Sequence, residues 1–177
     1  MKKTLIIGIV MVVLLSIPIS VKNREVSEKE RQYLKTDYEK VEYYINTYST
    51  QYDIPMYVLE HLFKKETGWE LRRKERYKAS LVGDGGRSFG AGQIQLPTAR
   101  AYRPGIKITP QMLKYDIKFN VETTCIILRA DFDTLSKIKQ VRPSDSTLWV
   151  WTLASYNMGI HGFMRSFRPN NYATSIH

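Results

Sequence analysis

The chain has 177 residues and a mass of 20.7 kDa, enough for one domain with a sizeable core and hardly enough for two. Hydrophobic residues make up 43% and charged residues 25%, which excludes a disordered chain. A lone cysteine, Cys125, with scattered His61, His161 and His177, excludes a disulfide framework and a cysteine-built zinc site, so a structural metal is not expected. The 27 Lys and Arg against 17 Asp and Glu give a formal charge of +10, which points to a polyanionic partner: nucleic acid, anionic lipid or a cell-wall polymer.

Met1-Lys2-Lys3 is a short positive start, and Thr4 to Val21 carries no charge and is dense in Ile, Val and Leu. Lys22, Asn23 and Arg24 end the apolar run. Residues 1–21 therefore read as a signal peptide or a membrane anchor, and residues 4–21 are long enough to reach across a bilayer. The expected location is outside the cytoplasm, in the periplasm or cell envelope, with anchorage to the inner membrane if the segment is retained. That location disfavours nucleic acid, for which no recognition motif is present, and favours an envelope polymer.

Residues 22–36 are charged, lack apolar periodicity and read as a linker. From Asp37 the apolar positions Val41, Tyr44, Ile45 and Tyr48 recur at helical spacing. Tyr52-Asp53-Ile54-Pro55 interrupts this helix, and Pro55 suits the first turn of the next. The second helix carries Leu59, Leu62, Phe63 and Glu66 on one face, and Gly68 stops it. Residues 70–92 are charged and then Gly-rich, and a small hairpin is expected there. A short helix begins near Pro97, and Pro104-Gly105 and Thr109-Pro110 mark turns. Asn120 to Leu135 is a helix with the stripe Val121, Cys125, Leu128, Phe132 and Leu135, for which Asn120 is the expected N-cap. After the loop Arg142-Pro143-Ser144-Asp145, Ser146 is the expected cap of a helix through Trp149, Trp151 and Ala154 that stops near Gly159. The expected fold is mainly α, a single domain over residues 37–177, with both tryptophans in its core.

Glu66 is the anomaly in this pattern. It extends an apolar stripe, where an unpaired charge is costly and burial raises a carboxyl's pKa. A general acid working near neutral pH needs that shift. The alternative is an exposed helix end with Glu66 paired to a nearby Lys or Arg. The run from Gly83 to Gln95, Gly-Asp-Gly-Gly-Arg-Ser-Phe-Gly-Ala-Gly-Gln-Ile-Gln, lets backbone approach a ligand closely. No Gly-Lys-Ser/Thr follows, so it is not a phosphate-binding P-loop, and its Ser, Gln and amide groups suit a neutral polar ligand such as a sugar. Ser155-Tyr156-Asn157-Met158-Gly159 then places an aromatic and an amide at a helix end.

Taken in order, these three blocks resemble the goose-type lysozyme and soluble lytic transglycosylase superfamily. That family has a Glu-Ser pair ending a helix, a Gly-Leu-Met-Gln-like block followed by Thr-Ala, and Ala-Tyr-Asn followed by a glycine. The corresponding residues here are Glu66-Thr67, Gly90-Ala91-Gly92-Gln93-Ile94 with Thr98-Ala99, and Ser155-Tyr156-Asn157. The resemblance runs from about Glu42 to Tyr172. Thr67 stands for Ser and keeps the hydroxyl, Ser155 stands for Ala, and Ala91-Gly92 removes apolar bulk expected beside the substrate groove. Gln95 stands where the goose-type branch often has an acid, which leaves Asp84 as the candidate second carboxylate.

The resemblance implies a lysozyme-like fold and cleavage of the MurNAc–GlcNAc β-1,4 bond of peptidoglycan. Glu66 would act as acid and then base in the transglycosylase outcome, and Asp84 would position water in the hydrolytic one. A non-catalytic peptidoglycan-binding protein is the third reading. Gln93, Tyr156 and Asn157 would line the site, Thr67, Ser88 and Phe89 would contact substrate, and Tyr102 could stack on a sugar. The resemblance implies no metal or organic cofactor, and the partners implied are peptidoglycan glycan strands, approached by a monomer that an envelope machine could recruit.

Overall fold

The computed structural model describes residues 34–69, 73–138 and 145–166. The expected signal or anchor segment, most of the linker and the chain end after Ser166 lie outside these. The fold is mainly α, with one small antiparallel sheet. Helix α1 spans Asp37–Gln51. Thr36 caps it through a reciprocal box: its hydroxyl accepts the Glu39 N–H at 3.2 Å, and the Glu39 carboxylate accepts the Thr36 N–H at 2.9 Å. Tyr38, Val41, Ile45 and Tyr48 form its buried stripe. Helix α2 spans Met56–Thr67, with Pro55 just outside as its N-cap. Gly68 ends it in the left-handed region at φ 69°, where a side chain is costly. Among the described residues, no helix is long and apolar enough to cross a membrane.

The expected hairpin is present and gains a third strand. Strands β1 (Val82–Gly83), β2 (Ser88–Phe89) and β3 (Ile94–Gln95) pair antiparallel in that order, with Gly83 opposite Ser88 and Ser88 opposite Gln95. Helix α3 (Leu96–Tyr102) follows directly, and helix α4 (Pro110–Tyr115) starts where the sequence suggested only a turn. Thr109 caps α4 by accepting the Met112 N–H, and Pro110 occupies its first turn, where a missing N–H costs nothing.

Helix α5 (Ile117–Leu135) is the centre of the molecule and packs against α1, α3, α4 and α6. It feeds three apolar clusters from different faces. Val121, Cys125 and Leu128 join α1, α2 and Trp149; Ile127 joins Ile94, Ala99, Ile108 and Leu113; Leu135 joins Leu148, Trp151 and Phe163. Both tryptophans are thus core residues, as expected. Helix α6 (Asp145–Met158) and helix α7 (Ile160–Ser166) meet at Gly159, whose φ is 72°.

Two expected caps are corrected. Asp116 caps α5 by accepting the Phe119 N–H at 2.9 Å, and Asn120 lies buried within the helix. Ser146 is the second residue of α6 and not its cap. Asp116 and Asn120 are both good cap residues one helical turn apart, so local chemistry could not choose between them.

Candidate active site

A cleft of about 740 Å³ opens between the sheet, α3, α5 and the α6–α7 junction. Glu66 reaches it from the last turn of α2. Thr67 follows Phe63 by four residues and continues the buried stripe, whereas Glu66 stands one residue round the helix at the stripe's edge. That offset leaves Glu66 half-buried. Among the described residues it makes no hydrogen bond and no ion pair, so the expected alternative of a paired surface glutamate does not hold. Burial raises its pKa; Lys65 pulls the other way and the Asp84 charge adds to the rise.

The Gly-rich segment delivers Asp84, Ser88, Gln93 and Gln95 to the same cleft. Asp84 is exposed in a turn at φ 50°, and its carboxylate accepts a hydrogen bond from the Ser88 hydroxyl. Gln93 also lies in the left-handed region, at φ 49°, a conformation of roughly 1–2 kcal/mol cost for a non-glycine residue. Its Nε2 donates to the Gly90 carbonyl at 2.8 Å. Its Oε1 lies so close to Gly83 that a Cβ there would overlap it. The glycine in β1 therefore makes room for the glutamine that faces the cleft.

Gly90 and Gly92 are needed for a different reason. A Cβ on Gly90 would strike the Leu113 carbonyl and the Asn120 side chain, and one on Gly92 would strike the Thr124 hydroxyl. Asn120 accepts the Gly92 N–H at 2.8 Å and donates to the Phe89 and Leu113 carbonyls at 3.0 and 2.8 Å. Tyr156 donates to the Gly92 carbonyl at 2.7 Å. The loop is thus pinned to α5 and α6 at its glycines, which holds Gln93 at the cleft. Ala91 and Gly92 are buried and do not line the cleft, so the apolar bulk expected beside the groove is replaced by small residues in the interior.

From α6 come Ser155, Tyr156 and Asn157. Tyr156 is half-buried, and burial above all pushes its phenol pKa far up, so it remains a donor. Asn157 is exposed and donates to the Leu153 carbonyl at 2.8 Å. It and Glu66 also border a side cavity of about 130 Å³ that is lined by His61 and Lys65.

Two expected substrate contacts lie elsewhere. Thr67 is buried, donates to the Phe63 carbonyl at 3.1 Å and shares a 3.0 Å hydrogen bond with the Tyr77 hydroxyl. Phe89 packs against the Ile94–Leu113 cluster; its strand neighbour Ser88 faces the cleft, and adjacent strand residues point oppositely.

The cleft also contains a second carboxylate that sequence reasoning missed. Asp131 of α5 is 2% exposed and accepts hydrogen bonds from the Tyr102 hydroxyl and, at 2.8 Å, from the Ser155 hydroxyl. Burial raises its pKa, against the pull of these two hydroxyls and of His161. Its signal was available: Asp131 interrupts the apolar face of α5 between Leu128 and Leu135, as Glu66 does on α2. His161 and Arg165 of α7 complete the far wall. Among the described residues, no group of three or more His, Cys, Asp or Glu is placed to hold a metal ion.

No protein-family model, no curated protein and no solved structure matches the chain.

Proposed function

We propose that this chain cleaves the MurNAc–GlcNAc β-1,4 bond of peptidoglycan as a lytic transglycosylase, leaving 1,6-anhydroMurNAc ends. One observation carries the reading: Glu66 is half-buried and unpartnered in a cleft where Gln93, Tyr156 and Asn157 converge from distant parts of the chain. Burial raises the Glu66 pKa, which favours the protonated carboxyl that gives its proton to the glycosidic oxygen as the C1–O bond breaks. The carboxylate left behind takes the proton of the same sugar's C6 hydroxyl, whose oxygen closes on C1. The proton returns to Glu66 and no water is consumed. The Tyr156 oxygen, whose proton goes to the Gly92 carbonyl, is suited to accept from a sugar hydroxyl, and the second N–H of the Gln93 amide to donate to a hydroxyl or acetamido oxygen. A charge of +10 suits an anionic wall polymer, and export through residues 1–21 would bring the chain to it.

The field of Asp84 at Glu66 favours one second reading, a hydrolysing muramidase in which Asp84 positions water. Mass spectrometry of soluble products from purified peptidoglycan separates the two. AnhydroMurNAc ends that vanish in Glu66→Gln establish the transglycosylase. Reducing MurNAc ends, heavier by one water, establish the hydrolase. Binding without products would leave a peptidoglycan-binding protein, and full activity in Glu66→Gln would remove Glu66 from the mechanism.

A further inference from the structure

We infer that the far wall of the cleft is a carboxylate-binding subsite, built by His161 and Arg165 of α7, that takes an anionic arm of the glycan; the inference rests on the proposed glycan-cleaving reading. The two residues are four apart on one helix, so they share a face, and both border the cleft. Among the described residues neither forms a salt bridge or a hydrogen bond. Asp131, which borders the same cleft, is buried and already takes the Tyr102 and Ser155 hydroxyls.

Glu66 and Asp84 border the cleft from α2 and the Gly-rich turn, whereas His161 and Arg165 border it from α7, and Tyr156 lines it too. A ligand that fills the cleft meets the two acids of the first group and the exposed α7 pair of the second. Neutral sugar rings suit the polar groups of Gln93 and Tyr156, but only a carboxylate complements the Arg165 guanidinium, with the His161 imidazole one turn away on the same face. In a wall glycan that carboxylate is either the muramyl lactyl group of a peptide-free strand or an acid of the stem peptide, since attaching the peptide turns the lactyl acid into an amide.

The test is equilibrium binding by the full chain carrying Glu66→Gln, which prevents turnover. Three ligands of equal sugar length are compared: a neutral GlcNAc oligomer, a peptide-free MurNAc–GlcNAc oligomer, and the same oligomer bearing peptide. Because both side chains are exposed, the expected preference for a carboxylate-bearing ligand over the neutral one is about fivefold at low salt, shrinking as salt is added. In Glu66→Gln combined with Arg165→Gln the ratio should fall toward one. A gain with the peptide-free oligomer assigns the lactyl group, and a gain only with the peptide-bearing oligomer assigns the peptide. Equal affinities for all three, or a preference that survives loss of both His161 and Arg165, would overturn the subsite while leaving the glycan reading intact. Failure to bind any of the three would overturn the glycan reading and the subsite with it.

Discussion

Glu66 and Asp131 are carboxylates set into apolar helix faces, and both border one cleft. Asp131 is the more deeply buried, yet each of its oxygens accepts a hydroxyl, one from α3 and one from α6. Glu66 is only half-buried, and nothing among the described residues donates to it. A buried acid with partners holds elements together, whereas a cleft acid without them keeps its proton and its lone pairs for a ligand. Lack of internal satisfaction, more than depth, separates the reactive candidate from the structural one.

The largest expected effect tests that distinction directly. Glu66→Gln should lower the rate of peptidoglycan cleavage by about 10³-fold or more, since it removes a proton donor while nearly preserving shape. Its thermal unfolding should not fall below that of the parent. Asp131→Asn should do the reverse: lose about 1–2 kcal/mol of stability, as one hydroxyl loses its acceptor, with only a few-fold loss of rate. Activity assays and thermal melts on both variants decide the comparison, and equal losses of rate would break it.

Asn120 extends the contrast to a neutral group. It is 1% exposed, accepts from Gly92 and donates to Phe89 and Leu113, so its side chain spends its polar capacity on backbone. Asn120→Ala leaves a buried N–H and two carbonyls short of partners and should cost about 3 kcal/mol, read from denaturant unfolding. A loss below about 1 kcal/mol would mean that the Tyr156 hydrogen bond to Gly92 and the close-packed glycines suffice to seat the loop holding Gln93.

How much of this was legible follows the range of the forces involved. The periodicity of α1, α2 and α5 exposed their stripes, because burial repeats along a helix whatever it packs against. Glu66 was legible for the same reason, as a charge interrupting a stripe. Asp131 interrupts its stripe too, yet the partners that explain it, Tyr102 and Ser155, are remote in sequence. Thr67 and Phe89 were assigned to the substrate by their position beside motif residues. Helix rotation and strand alternation turn them inward. Gly92 looked like lost bulk because the Thr124 hydroxyl that crowds it belongs to another element. Helix α4 was missed because six residues carry little periodicity, although its Thr-Pro cap was in view.

The smallest effect is the most specific to an unpartnered acid, and it concerns pH. The pKa of Glu66 is raised in the folded protein, mainly by burial, so the folded state holds this proton more tightly than the unfolded chain does. The stabilising contribution is fully present below the ordinary glutamate pKa of about 4.3 and is lost as pH rises through the folded value. Glutamine in the same place has no such dependence. The melting temperature of Glu66→Gln relative to the parent should therefore be more favourable at about pH 7 than at about pH 4. Asp131, with its own raised pKa, is present in both proteins and cancels in the difference, which leaves Glu66 and its repulsion by Asp84 as the source. Because Glu66 is only half-buried, solvent screening limits the effect on stability, so paired melts across the pH range are the right measurement. A difference that is flat with pH would mean that the Glu66 carboxylate is as well solvated as any surface glutamate, and the contrast with Asp131 would lose its physical basis.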